Sequence, residues 1–219
     1  MNFLWIKGAI AASVLLFSAV ANAGLIMVEQ YNGYQSNNVN NLISYANNNI
    51  ATTVSYWEYI DFTDDPAGFA GLIPGSSPWP SAAAAGVSGT AHPLNNTFFA
   101  KITGDFTVLA FDQYYFRTFN DDGVFLFVDG ELILADTNYH PEELFIVSKE
   151  LAAGLHSFEL YFFEAGGEAS LEFSVADSSQ NFVHFNAPNS PFIIVDVPAP
   201  ASLAIFALGL LCLVRRKVL

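Results

Sequence analysis

The chain has 219 residues, 53% of them hydrophobic, with a formal net charge of −14. That length is enough for one domain with a sizeable core. All 21 acidic residues fall between Glu29 and Asp196, where only Lys101, Arg117 and Lys149 oppose them; such a surface repels nucleic acid and anionic lipid and favours cations.

Residues 1–23 predict a secretory signal peptide. Lys7 supplies the charged start, 8–20 the apolar middle, and Ala21-Asn22-Ala23 a small-x-small cleavage site. A first strand is expected at 24–28. Val39, Leu42, Ile43 and Ala46 recur at helical spacing in an asparagine-rich stretch, which predicts a short helix over 38–46. The β-branched and aromatic run at 52–59 reads as a strand, and Asp64-Asp65-Pro66 ends it. Segment 68–89 contains Pro74, Pro78, Pro80 and four consecutive alanines. It is an irregular excursion and not a domain boundary, because too few strands precede it to bury a core.

From 96 onward strand signal is dense. Stretches 96–102 and 106–111 read as two strands around a Thr103-Gly104-Asp105 turn. A strand at 114–119 runs into a tight turn, Asn120-Asp121-Asp122-Gly123, with Gly123 supplying any positive φ. The wholly apolar 124–128 predicts a strand covered on both faces. Asp129-Gly130 is a strong hairpin signal, and 131–135 returns. A short strand follows at 144–148, then a turn at Ala152-Ala153-Gly154. Beyond it His156, Phe158, Leu160 and Phe162 share one face of a strand. Ala169, Leu171, Phe173 and Val175 alternate with Ser170, Glu172 and Ser174. Further strands are expected at 182–185 and 192–197. Many strands, little helix and 21 phenylalanines predict an all-β fold, an antiparallel two-sheet β-sandwich or squat barrel.

The end of the chain predicts a membrane device. Residues 201–214 are uncharged and almost all apolar, and Arg215-Arg216-Lys217 follow at once. As a helix this run reaches about 21 Å against a hydrocarbon core of about 30 Å. Flanking residues and local thinning can close the gap, with the basic cluster on the cytoplasmic side. The single cysteine, Cys212, lies in this tail, so the domain ahead of it has no disulfide and must rest on its core or on a metal.

Several features stand in order along the chain: Tyr59-Ile60-Asp61-Phe62, FFAKITGDFTV at 98–108, Tyr115-Phe116, and Asp121-Asp122-Gly123. LFVDGEL at 126–132, Ala153-Gly154-Leu155-His156, and YFFEAGGEASL at 161–171 complete them. Together they give the run over roughly 24–177 its family likeness. It resembles the lectin-like β-sandwich module first named for the protective antigen of anthrax toxin. That module occurs in yeast flocculins and adhesins, some glycosidases and many exported bacterial proteins. The tail resembles a PEP-CTERM sorting signal, with Val197-Pro198-Ala199-Pro200, the apolar segment and the basic cluster in order; Ala199 stands where the motif typically has glutamate. These resemblances imply export by a Gram-negative, often matrix-forming bacterium and an exosortase-like sorting enzyme as a partner. If that enzyme needs the glutamate, the protein stays in the membrane. On this reading the chain divides into a signal peptide (1–23), a β-sandwich domain (24–180), a terminal strand or linker (181–197) and a sorting or transmembrane tail (198–219).

Adjacent carboxylates in a tight turn are costly unless a pKa rises or a cation is held. Calcium suits hard carboxylate and carbonyl oxygens in flexible geometry. In the sugar-binding relatives, paired aspartates joined by a cis peptide hold calcium, which coordinates sugar hydroxyls; Asp121 and Asp122 match that pair. A second loop of those relatives matches 164–168, with Glu164 as the side-chain ligand. The adhesins tend to have asparagine there; a glutamate adds charge that weakens sugar specificity, or fills the position of a sugar hydroxyl. A solvated turn with Asx-type hydrogen bonds is the competing account of Asp121-Asp122. Asp129 is a candidate neighbour of the pair. Asn138 and His140 lie in a polar loop suited to a binding rim, and Trp79, between two prolines, is an exposed candidate for stacking on sugar. Trp57 reads as core and His156 as a satisfied sheet histidine. His92 and His184 have no partner at metal-ligand spacing, so no zinc site is expected, and no nucleophile motif stands out. The implied function is a non-catalytic module binding extracellular polysaccharide or surface glycan through calcium. A structural matrix protein whose calcium only stabilises the fold competes with it. A hydrolase would need two carboxylates about 5–10 Å apart across a groove.

Overall fold

The computed structural model describes residues 25–64, 71–80 and 97–195. The expected signal peptide and sorting tail lie outside them. Among the described residues no helix is long and apolar enough to cross a membrane.

The elements are β1 (Ile26–Asn32), α1 (Val39–Asn48), β2 (Thr53–Trp57), β3 (Ile60–Thr63), β4 (Phe98–Val108), β5 (Asp112–Asp121) and β6 (Gly123–Val128). There follow β7 (Glu131–Ala135), β8 (Glu143–Leu151), β9 (Gly154–Glu164), β10 (Ser170–Ala176), β11 (Val183–His184) and β12 (Ile193–Ile194). The larger sheet runs β2-β1-β4-β9-β6-β7, with β12 beside β1 on the edge of β4; the smaller runs β11-β10-β5-β8, with β3 on β10. The ladders between these strands are antiparallel. This is the expected two-sheet sandwich.

Period-2 alternation builds the core. Phe98, Ala100, Ile102, Phe106 and Val108 of β4 and Phe158, Leu160 and Phe162 of β9 face Phe116 of β5 and Leu171, Phe173 and Val175 of β10. Each such side chain contributes about 1.5–3 kcal/mol on burial. A second cluster lies on the outer face of the larger sheet, where α1 sets Leu42 against Tyr31, Phe99, Phe125, Tyr161 and Phe163. Asn38 starts that helix, its side chain accepting from the Asn40 N–H. Covered by α1 on one side and by the core on the other, β6 is apolar on both faces, as its sequence implied.

Three local expectations change. The predicted turn at Gly104 is instead the middle of β4. A Cβ there would lie 2.7 Å from the Phe158 ring, so the glycine makes room for an aromatic and bends nothing. The strand read at 52–59 is β2, and β3 follows it in the other sheet. On the other face of β10, Ser170, Glu172 and Ser174 are all buried as well. Segment 71–80 lies over them, with Glu172 accepting from the Leu72 and Ile73 N–H groups at 2.5 and 2.6 Å and from Arg117 Nη2 at 2.8 Å. Trp79 is 2% exposed, which removes it from any sugar platform. Its Nε1 donates to the Ala169 carbonyl at 3.0 Å, and its ring packs on Phe62, Phe98 and Phe162. These contacts outweigh the surface bias of the flanking prolines. Trp57 packs against the core as expected. Phe185, Phe192 and Ile194 also join the core.

Candidate metal centre

β5 ends in the smaller sheet and β6 begins in the larger one. The expected tight turn is therefore a crossover between sheets, made at Asp121–Asp122, whose peptide bond is cis. Gly123 has no positive φ. It is needed for close packing, since a Cβ would lie 2.4 Å from the Phe163 ring and 2.7 Å from the Asp136 carbonyl oxygen. β9 ends at Glu164, and β10 starts at Ser170, paired with Asp121. The loop joining β9 to β10 thus brings Glu164 to the crossover.

One carboxylate oxygen each from Asp121, Asp122 and Glu164 lie within 4.8 Å of one another. Backbone groups hold Asp122 in place: its Oδ1 accepts from the His140 N–H and its Oδ2 from the Ala165 N–H, both at 2.9 Å. Glu164 Oε1 accepts from the Gly166 N–H at 2.6 Å, while Oε2 is buried with no hydrogen-bond partner. Asn120 Nδ2 donates to the Asp122 carbonyl at 2.6 Å and to Asp136 Oδ2 at 3.1 Å. Its Oδ1 is left buried and unpartnered. Asp136 Oδ2 also meets His140 Nε2 at 2.7 Å, and His140 Nδ1 lies 2.6 Å from the Pro141 carbonyl.

Burial, and after it the Asp122 charge, push the Glu164 carboxyl up to about 9. The same two causes lift Asp121 to about 7. Burial raises Asp122 as well, against the Ala165 and His140 backbone donors. Burial depresses His140, but the Asp136 hydrogen bond and the Pro141 carbonyl carry it above its ordinary value. The arrangement is an all-oxygen donor set with more negative charge than a buried site holds alone. Within it, the buried Glu164 Oε2 accepts nothing from the protein. The set fits a divalent cation that prefers oxygen.

Beside the centre lies a cleft of about 240 Å³ lined by Thr63, Asp121, Pro141, Glu142, Glu168 and Ser170. The structure thus brings Asp121, Asp122, Glu164 and His140 together. Asn138 is exposed on the neighbouring loop, its N–H on Asp136 Oδ1. Asp129 is not part of the site. It sits at the far end of β6, bonded to His156 Nδ1 at 2.7 Å and to the Ser157 N–H at 3.0 Å. Sequence reasoning linked none of three neighbouring residues to the paired aspartates. Asn120 lay inside the predicted turn. Asp136 has no spacing rule linking it to the pair. Asp64 was read as a strand stop, yet its Oδ1 holds the Ala169 N–H at 2.5 Å.

Residues 51–181 match the PA14 domain, and residues 196–217 match the PEP-CTERM protein-sorting motif. Among solved structures the chain is similar to a PA14 sugar-binding domain from an RTX adhesin, at 20% identity and TM-score 0.56, covering 75% of this chain and 96% of that one. It is similar to the PA14 domain of the MpAFP antifreeze protein, at 14% identity and TM-score 0.58, covering 81% and 93%. An anti-sigma factor domain-containing protein matches at 18% identity and TM-score 0.53, covering 82% of this chain and 50% of that one. At these identities the likeness is one of fold. No curated protein matches the chain. The tail motif marks an exported protein directed to the cell surface, and the domain is a non-catalytic module. With more than half of its length matched by that domain, the chain belongs to the PA14 domain family.

Proposed function

We propose that this protein is a surface or matrix module that binds carbohydrate through calcium held by Asp121, Asp122 and Glu164. One observation carries the reading: the buried, unpartnered Oε2 of Glu164 beside two paired aspartates. The ion, when bound, offers open coordination positions to hydroxyl groups. The protein's part is to fix the carboxylates through the His140 and Ala165 N–H groups and to leave Asp121 facing the cleft. That opening favours a binding ion over a purely structural one.

The wider setting belongs to the same proposal. The domain of 24–180, with 181–197 after it, is exported through the inner membrane of a Gram-negative bacterium. The tail of 198–219 enters the membrane and meets an exosortase-like enzyme, and the ligand is an extracellular polysaccharide or surface glycan. Support comes from the tail motif and from the similarity to a sugar-binding domain of an adhesin. The test is retention of the protein on a panel of immobilised polysaccharides. Retention should be lost in EDTA and restored by calcium; retention indifferent to both would contradict the reading.

A further inference from the structure

The cleft beside the metal centre has walls of one sign. Its floor is Thr63, Ser170 and Asp121, neighbours across β3, β10 and β5. Its walls are Glu168 from the β9–β10 loop and Pro141 and Glu142 ahead of β8. Both glutamates are exposed. Among the described residues no lysine or arginine lines the cleft, and those of the domain are engaged elsewhere: Arg117 with Glu172, Lys149 with Glu131 and Lys101 with Glu159. Ser170, only 4% exposed, lines the floor with its Oγ unpartnered. A buried hydroxyl without a partner is unfavourable, and the cleft is where one would enter. At about 240 Å³ the space is smaller than a drug-sized site and suits one sugar ring.

We propose that this cleft selects sugars bearing a protonated amine, with Glu142 and Glu168 as the specificity-determining residues and Ser170 Oγ meeting a sugar hydroxyl. The inference rests on the calcium-dependent carbohydrate reading and deepens it. Three carboxylates against a doubly charged ion leave the loaded centre negative, so calcium does not reverse the field in the cleft. An ammonium group gains charge-assisted hydrogen bonds from the two glutamates. A neutral sugar gains none of these, and a uronate meets like charge.

The experiment is calorimetry of the calcium-loaded protein with glucosamine, glucose, N-acetylglucosamine and glucuronate. Glucosamine should bind roughly tenfold more tightly than the others, and its advantage should shrink as salt rises. The exposed pair Glu142→Gln and Glu168→Gln should bring glucosamine down to the level of glucose, while calcium still binds as a single ion with its affinity only modestly lowered by the loss of nearby negative charge. Equal binding of glucose and glucosamine would overturn the inference and leave the glycan reading standing. Calcium heat with no sugar bound would overturn both. A second calcium ion in the wild type, lost in the double variant, would make the cleft a metal site and overturn the inference.

Discussion

Glu164 carries the largest electrostatic cost at the centre. It is fully buried, with one oxygen on the Gly166 N–H and the other on nothing. An acid whose folded pKa lies above its unfolded value holds its proton more tightly when folded. The contribution of these two acids to the stability of the ion-free protein is therefore fully present below the ordinary carboxylate range. It is lost as pH climbs toward about 7 for Asp121 and about 9 for Glu164. Calcium replaces those protons, so its stabilising effect should grow over the same interval. Thermal unfolding between pH 5 and pH 9 checks this: the melting temperature in EDTA should fall with pH, and calcium should flatten the curve. A melting temperature that rises with pH in EDTA would contradict it. Asp136 touches no ion on this account, yet it orients Asn120 and the His140 ring. Asp136→Ala should weaken calcium binding about 10–100-fold without removing the site, as read by calcium titration.

At the scale of elements, β10 shows what a local pattern leaves open. Alternation separates its Ser-Glu-Ser face from its apolar face without saying what covers it; Glu172 anchors segment 71–80 and pairs with buried Arg117. Glu172→Ala strands that guanidinium and unties two backbone donors. It should cost about 3–5 kcal/mol in urea unfolding; a loss under about 1 kcal/mol, the range of an exposed pair, would show that the segment does not depend on it. The alternation of β9, the two-sided β6 and the Asp129-Gly130 hairpin were legible because neighbours in sequence decide them. Gly104, Gly123 and Trp79 were not. Each is explained by a ring or carbonyl supplied from a distant strand or loop. The same holds at the site. The paired aspartates announce themselves, and family likeness supplied Glu164. Asn120 and Asp136 become visible only once β5 and β6 are seen in different sheets.

Across the whole molecule, the described chain ends at Val195, whose N–H donates to the Asp105 carbonyl on β4. Phe98, at the other end of that strand, pairs with Glu164. At about 3.3 Å per residue, Asp105 and the Val195 bonded to it lie about 23 Å along the strand from the metal centre. The domain's charge is strongly negative and concentrated, with no disulfide to oppose self-repulsion, and a bound cation answers both the local and the global excess. The most direct measurement is a calorimetric calcium titration of the purified exported protein beside an Asp121→Ala, Asp122→Ala variant. A single ion binding at or below about 1 mM in the wild type, with its heat lost in the variant, is the predicted result. No heat in the wild type up to about 10 mM, well beyond that range, or equal heat in both proteins, would contradict a calcium centre at the paired aspartates.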